Sequence, residues 1–169
     1  MAGKAVTLDM PRIRPPAILE KSVIEPLITR GVAGVPPCFQ TKYQVMTFAA
    51  TLGVRIGKET PMEKAGEGIR YEYFLNDGHD LAIDIIALEA CGSESEESDE
   101  VRLSRIEAKQ LKRRVERFER FAHTGLLAIE QECFGGAGAR SLIEGLVVLV
   151  EKYGAGEKPK LHHKLNDLF

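Results

Sequence analysis

The residues of this chain best placed to do chemistry form a row of cations. Arg102, Arg105, Lys109, Lys112, Arg113, Arg114, Arg117 and Arg120 stand against only Glu107, Glu116 and Glu119. At helical spacing, Arg102, Lys109, Arg113, Arg117 and Arg120 fall roughly opposite an apolar stripe of Leu111, Val115, Phe118 and Ala122. A cationic ridge outside an apolar stripe suits a helix that tracks phosphates, because each neutralised phosphate releases condensed counterions. Contacts of that kind position a protein on DNA without reading its sequence. The expected DNA-contacting set is Arg102, Arg105, Lys109, Lys112, Arg113, Arg117 and Arg120. The same residues would equally serve as a solvated face with short-range pairs such as Arg113 with Glu116. Directly upstream, Gly92 to Glu100 carries Glu94, Glu96, Glu97, Asp99 and Glu100 among serines, with nothing apolar to bury. A solvated anionic loop beside a cationic helix is expected to compete with DNA for it.

Reaction centres are harder to assemble. His79-Asp80 looks like half of a metal-phosphohydrolase ligand pair, but His123, His162 and His163 lie far downstream and Asp80 suits a helix start better. Asp84 with Glu107-Ala108-Lys109 imitates the carboxylate–lysine pattern of restriction nucleases, without the strands that should carry it. Gly135 to Gly138 is followed by no Lys-Ser/Thr, so nothing there holds a phosphate in the P-loop manner. Cys38, Cys91 and Cys133 are widely spaced, odd in number and lack a Cys-x-x-Cys, which favours reduced thiols over a metal cage or disulfide framework. The expectation is a non-enzymatic protein with no metal and no cofactor.

The elements that must position the cationic row are largely helical. A chain of 169 residues, 44% hydrophobic and 28% charged, is sized and composed for one folded domain with its own core. Its net charge of −2 means that any affinity for nucleic acid must come from local segregation of charge. No apolar run is long enough for a signal peptide or a membrane span, so a cytoplasmic protein is expected.

The most complete helix signature is Phe39 to Gly53. Thr41 caps its first turn, and Gln44 reaches back to the cap's own N–H in a capping box. Phe39 and Val45 can close as a hydrophobic staple, and Gly53 sits where a left-handed C-terminal residue is wanted. Before it, Pro15-Pro16 leads into a short helix in which Leu19, Val23 and Leu27 share a face, and Pro26 should bend or end it. Gly31 to Pro37 reads as a connecting loop. After it, Val54 to Gly68 reads as a loop with a short strand over Val54 to Ile56. Ile69 to Phe74 alternates as a strand, with Ile69, Tyr71 and Tyr73 on one side, until Asn76-Asp77-Gly78 breaks it. Asp80 to Ala90 is expected as a helix buried through Leu81, Ile85 and Leu88. Val101 to His123 is a long helix, bent at Thr124-Gly125 and continued from Leu126 to Phe134. Ser141 to Tyr153 is the last.

These residues together resemble the small Dnd system-associated proteins, encoded beside DNA phosphorothioation genes in bacterial antiphage clusters. The resemblance lies in Arg12-Ile13-Arg14-Pro15, in the helix ending Phe48-Ala49-Ala50-Thr51-Leu52-Gly53, and in Phe118-Glu119-Arg120-Phe121-Ala122-His123-Thr124-Gly125-Leu126. It spans roughly Arg12 to Phe134. His123-Thr124 departs from the Asn-Gly that the pattern carries before Gly125, and the acidic insert and the segment after Phe134 look like additions. Membership would imply a defence-linked accessory protein acting with DNA or with a larger ATPase or nuclease subunit, and it supplies no catalytic residues. Read physically, Phe118 to Leu126 is a packing block whose glycine permits close helix approach.

The sequence therefore predicts a mainly α, single compact helical domain with a minor β element. A basic arm over 1–14 precedes the helical domain at 15–156, which contains the acidic loop at 92–100, and a tail follows at 157–169. Its expected role is a non-enzymatic DNA-binding or adaptor subunit. The alternatives are a protein-interaction regulatory subunit that never touches DNA and, third, a metal-dependent nuclease.

Overall fold

The computed structural model describes residues 10–30, 36–91, 111–135 and 141–154. In chain order these form β1 (Arg12–Ile13), α1 (Ala17–Leu19), a π-helical turn over Glu20–Ile24, and α2 (Glu25–Thr29). Next come α3 (Lys42–Ile56), β2 (Ile69–Arg70), α4 (Tyr71–Asn76) and α5 (Asp80–Cys91). The last described elements are α6 (Leu111–Ile129), a second π-helical turn over Glu130–Phe134, and α7 (Leu142–Gly154). The mainly α class with a minor β element is the architecture observed. The sheet is a two-stranded antiparallel ladder that sets Arg12 opposite Arg70 and Ile13 opposite Ile69. The acidic loop, the tail, and Arg102, Arg105 and Lys109 lie outside the described residues. Of the expected arm, residues 10–14 are described, and Arg12–Ile13 form β1.

Among the described residues, the crossing of α3 and α6 is the most extensive helix–helix contact. Each helix brings a glycine to it. A Cβ placed on Gly53 would run into the backbone carbonyl of Phe121, and one on Gly125 into the carbonyl of Ala49. Side chains therefore do not separate the two backbones here, as the packing block around Gly125 predicts. Around the crossing, Val45, Met46, Ala49, Phe118, Ala122, Leu126 and Ile129 are fully buried. Phe74 of α4 joins them edge-on to Phe118, with ring centroids 5.9 Å apart.

Local signals in α3 are realised with three changes. Thr41 is the N-cap, and its Oγ1 accepts from the Gln44 N–H at 3.4 Å. The Gln44 side chain, expected on the N–H of the cap itself, instead accepts from the N–H of Gln40 at 2.9 Å. Phe39 packs its ring on Phe48, about one turn beyond the expected partner Val45, with centroids 5.5 Å apart. The helix does not stop at Gly53 but runs to Ile56, and Gly57 is the left-handed terminator at φ 74°. Gly53 is needed for the helix crossing, so the terminating glycine is the next one along.

Other expectations shift for tertiary reasons. The strand starting at Ile69 lasts two residues, because Tyr71 and Phe74 both turn into the core on α4 while Tyr73 faces out. The strand expected over Val54 to Ile56 is the last turn of α3. The helix from Asp80 is present, but it buries Ile83, Ile86 and Ala87, whereas Leu81 and Ile85 are exposed. A segment apolar nearly all round carries no face in its periodicity, so packing chose it. The helix expected to continue past Thr124-Gly125 does so, through both residues, as far as the π-helical turn that starts at Glu130. Pro26 does not end its helix either. The wide turn over Glu20–Ile24, closed by the Glu25 N–H on the Glu20 carbonyl, precedes a proline that has no N–H to give. Leu19, Val23 and Leu27 are buried together as their spacing predicts.

Candidate nucleic-acid interface

α6 presents two unlike faces. Val115, Phe118, Ala122, Leu126 and Ile129 line the core, while Lys112, Arg113, Glu116 and Arg120 are exposed. The segment is rich in Leu, Arg, Lys, Glu and Ala, which favour a helix locally, and burying its apolar stripe fixes the helix in place and holds the cations outward. Of the seven expected DNA-contacting residues, Lys112, Arg113, Arg117 and Arg120 lie on this helix. Lys112 and Arg113 form no ion pair with another described residue.

Arg117 and Arg120 share a carboxylate. The Arg117 Nε donates to Glu59 Oε1 at 2.9 Å, and Arg120 Nη1 stands 3.8 Å from Glu59 Oε2. Both arginines remain at least a quarter exposed, at 28% and 52% of the side chain, so solvent screens the pairing. Arg114, outside the expected set, turns instead toward α5 and pairs with Asp84, its side chain only 13% exposed. It is a structural cation.

Glu59 is positioned by a strap whose sequence reads as plain loop. The Thr60 N–H donates to the Arg120 carbonyl at 3.2 Å. Thr124 Oγ1 donates to the Lys58 carbonyl at 2.9 Å and lies 2.8 Å from Thr60 Oγ1. His123 Nδ1 sits 3.0 Å from the Pro61 carbonyl. His123 and Thr124, the two residues that depart from the resemblance, thus fasten residues 58–61 along α6. No local signal marks Glu59, because its role arises only from a contact across 58 residues of chain.

On the opposite flank, Glu119 is buried against β1 and its Oε1 accepts from the Arg14 N–H at 2.6 Å. Burial pushes its carboxyl up to about 7, against the lowering effect of that hydrogen bond. Elsewhere, His79 Nδ1 lies 3.1 Å from Thr47 Oγ1. Among the described residues no three His, Cys, Asp or Glu side chains gather as metal ligands. Asp84 of the nuclease-like pattern is engaged by Arg114, while Glu107 and Lys109 lie outside the described residues. Cys133 is a buried free thiol that desolvation pushes up to about 11. No described helix is long and apolar enough to cross a membrane.

A mainly α domain with an amphipathic, cation-bearing central helix is the class these features define. Over residues 12–167 the sequence matches the family described as DNA sulphur modification system-associated protein 4, and the chain belongs to that family. The match continues well past Phe134 and encloses the acidic insert, so the segment from residue 135 to 167, expected as an addition, lies within the family's span. No curated protein and no solved structure matches the chain.

Proposed function

We propose that the chain is a non-enzymatic accessory subunit of a DNA sulphur-modification system, which contacts DNA phosphates through the outer face of α6. The observation that carries this reading is the exposure of Lys112, Arg113 and Arg120 on the face opposite the buried stripe. Glu59 gives the site a resident anion that a phosphate can displace, since guanidinium forks bind either group. Arg102, Arg105 and Lys109 would extend the row, and the acidic loop would compete for it.

The test is a mobility-shift titration of duplex DNA across salt concentrations. Replacing Arg113, Arg117 and Arg120 together by glutamine should weaken binding and flatten the salt dependence by about 0.9 in log–log slope for each phosphate no longer neutralised. An unchanged slope in a folded variant overturns the proposal. Changing Glu94, Glu96, Glu97, Asp99 and Glu100 to glutamine should tighten binding, and unchanged affinity at low salt removes the competition idea.

A second reading, a protein-interaction subunit that never touches DNA, is favoured by the outer side of α7. Ile143, Val147 and Val150 are each about half exposed at i, i+4 and i+7, an apolar stripe of the kind found at interfaces. It predicts no duplex binding even at low salt. The nuclease reading predicts Mg²⁺-dependent cleavage lost in Asp84→Asn, but a carboxylate already held by an arginine is a poor metal ligand.

A further inference from the structure

A second cationic site lies on other elements. The β1–β2 register places Arg12 directly opposite Arg70, and directly opposed residues of a ladder project to the same face. Like charges so placed repel, and nothing in the ladder requires them: the neighbouring pair, Ile13 with Ile69, supplies the apolar side. Neither guanidinium is paired with a carboxylate among the described residues. Arg12 meets a neutral group instead, the Gly68 carbonyl, 3.4 Å from its Nη1. Both arginines line an open cavity of about 680 Å³, together with Lys42, Tyr43, Glu67 and Tyr73.

The lining has a consistent chemistry. Arg12 and Arg70 are the cations of the lining that no described carboxylate engages; Glu67, its side chain 82% exposed, has its Oε2 3.9 Å from the Lys42 Nζ, and Asp77 accepts from the hydroxyl of Tyr43. Lys42 is also held at 2.6 Å by Glu20 from behind, which fixes its position at the cavity wall. Tyr73 is half exposed beside these cations, while Tyr71 and Phe74 on the same helix turn inward. A phosphate alone would need the guanidinium forks but no ring. A duplex would offer phosphates but keep its bases stacked inside. Cations interleaved with an exposed aromatic ring fit a flexible strand, whose phosphate and unstacked base are presented together. The cavity is within the size range of small-ligand pockets, roughly 300–1,000 Å³.

We infer that this cavity binds single-stranded DNA, with one backbone phosphate between Arg12 and Arg70 and an adjoining base on Tyr73. The inference stands on residues separate from those of α6 and does not depend on duplex binding there.

The experiment is fluorescence anisotropy of a labelled oligothymidylate of about eight nucleotides against the full chain, from low to moderate salt. Arg12→Gln and Arg70→Gln should each weaken binding and reduce the salt slope by about 0.7 for each phosphate no longer neutralised. Tyr73→Ala should weaken it about fivefold or more, with Tyr73→Phe retaining the affinity, because stacking needs the ring and not the hydroxyl. Glu67→Gln should tighten binding by removing an anion from the cavity lining, and Lys152→Gln, a charge loss on α7, should leave it unchanged. Tyr73→Ala does not touch the ladder, so it keeps the test decisive if an arginine variant fails to fold. The inference is overturned if the oligonucleotide does not bind at low salt, if binding is indifferent to Arg70→Gln and Tyr73→Ala in folded protein, or if an unlabelled duplex competes as well as the single strand. Duplex and single strand are read separately, so failure of one site leaves the other standing.

Discussion

Glu119 shows how far a side chain's state can depart from its type. In the sequence it is one of three anions diluting a basic helix, whereas in the fold it is a buried carboxyl against the Arg14 N–H. Its pKa of about 7 lies above the ordinary 4.5, so the native state keeps a proton that the unfolded chain has released. Stability therefore falls as pH rises between those two values, by something on the order of 3 kcal/mol. Thermal melts at pH 5 and pH 8 should show a smaller difference for Glu119→Gln than for the unaltered chain. Equal differences would mean that Glu119 is solvated. Glu20 works the other way: burial raises its carboxyl, but Lys42 and the Glu67 N–H outweigh that and hold it low. Its contribution is present above the ordinary carboxylate range and is lost in acid, a window separate from that of Glu119.

At the scale of elements, the crossing of α3 with α6 is where single substitutions should cost most. Gly53→Ala and Gly125→Ala each set a methyl against a backbone carbonyl, which cannot swing aside as a side chain can. Each should destabilise by roughly 2–3 kcal/mol or more in urea unfolding, at the upper end for overpacking. A cost below that of an ordinary exposed helix substitution would show that the helices stand further apart. Thr41→Ala removes the side-chain acceptor from the Gln44 N–H and should cost about 1 kcal/mol, the usual penalty for losing an N-cap. The strap over residues 58–61 is a third device at this scale. Thr124→Val breaks its bonds to Lys58 and Thr60, and should free Glu59 from its place between Arg117 and Arg120. The expected result is altered salt dependence of duplex binding with the core intact.

For the molecule as a whole, charge is arranged rather than accumulated. With a net charge of −2, the chain has no general attraction for polyanions, so the DNA contact proposed above would have to be local and steeply salt-dependent. On the two proposals above, the exposed cations of α6 would serve the duplex and those lining the cavity beside the ladder would serve the single strand of a strand-separated DNA. A duplex carrying a single-stranded overhang should therefore bind more tightly than either component of equal length. The gain should disappear in a chain carrying both Arg113→Gln and Arg70→Gln, measured by competition at fixed salt. Equal affinity for all three probes would mean that the two surfaces do not cooperate.

The amino-acid sequence by itself determined the helical class, the Thr41 cap, the apolar stripe of α6 and the family resemblance. These depend on neighbours within about one or two helical turns, where spacing alone decides which side chains meet. Only the tertiary structure decided the rest. It used Gly53 for a helix crossing and left termination to Gly57, turned Arg114 inward to Asp84 while Arg113 stayed out, and brought Arg12 from the start of the chain to face Arg70. Periodicity assigns a residue to a face, but which partner that face meets is set by contacts between segments far apart in the chain. No local pattern records those contacts.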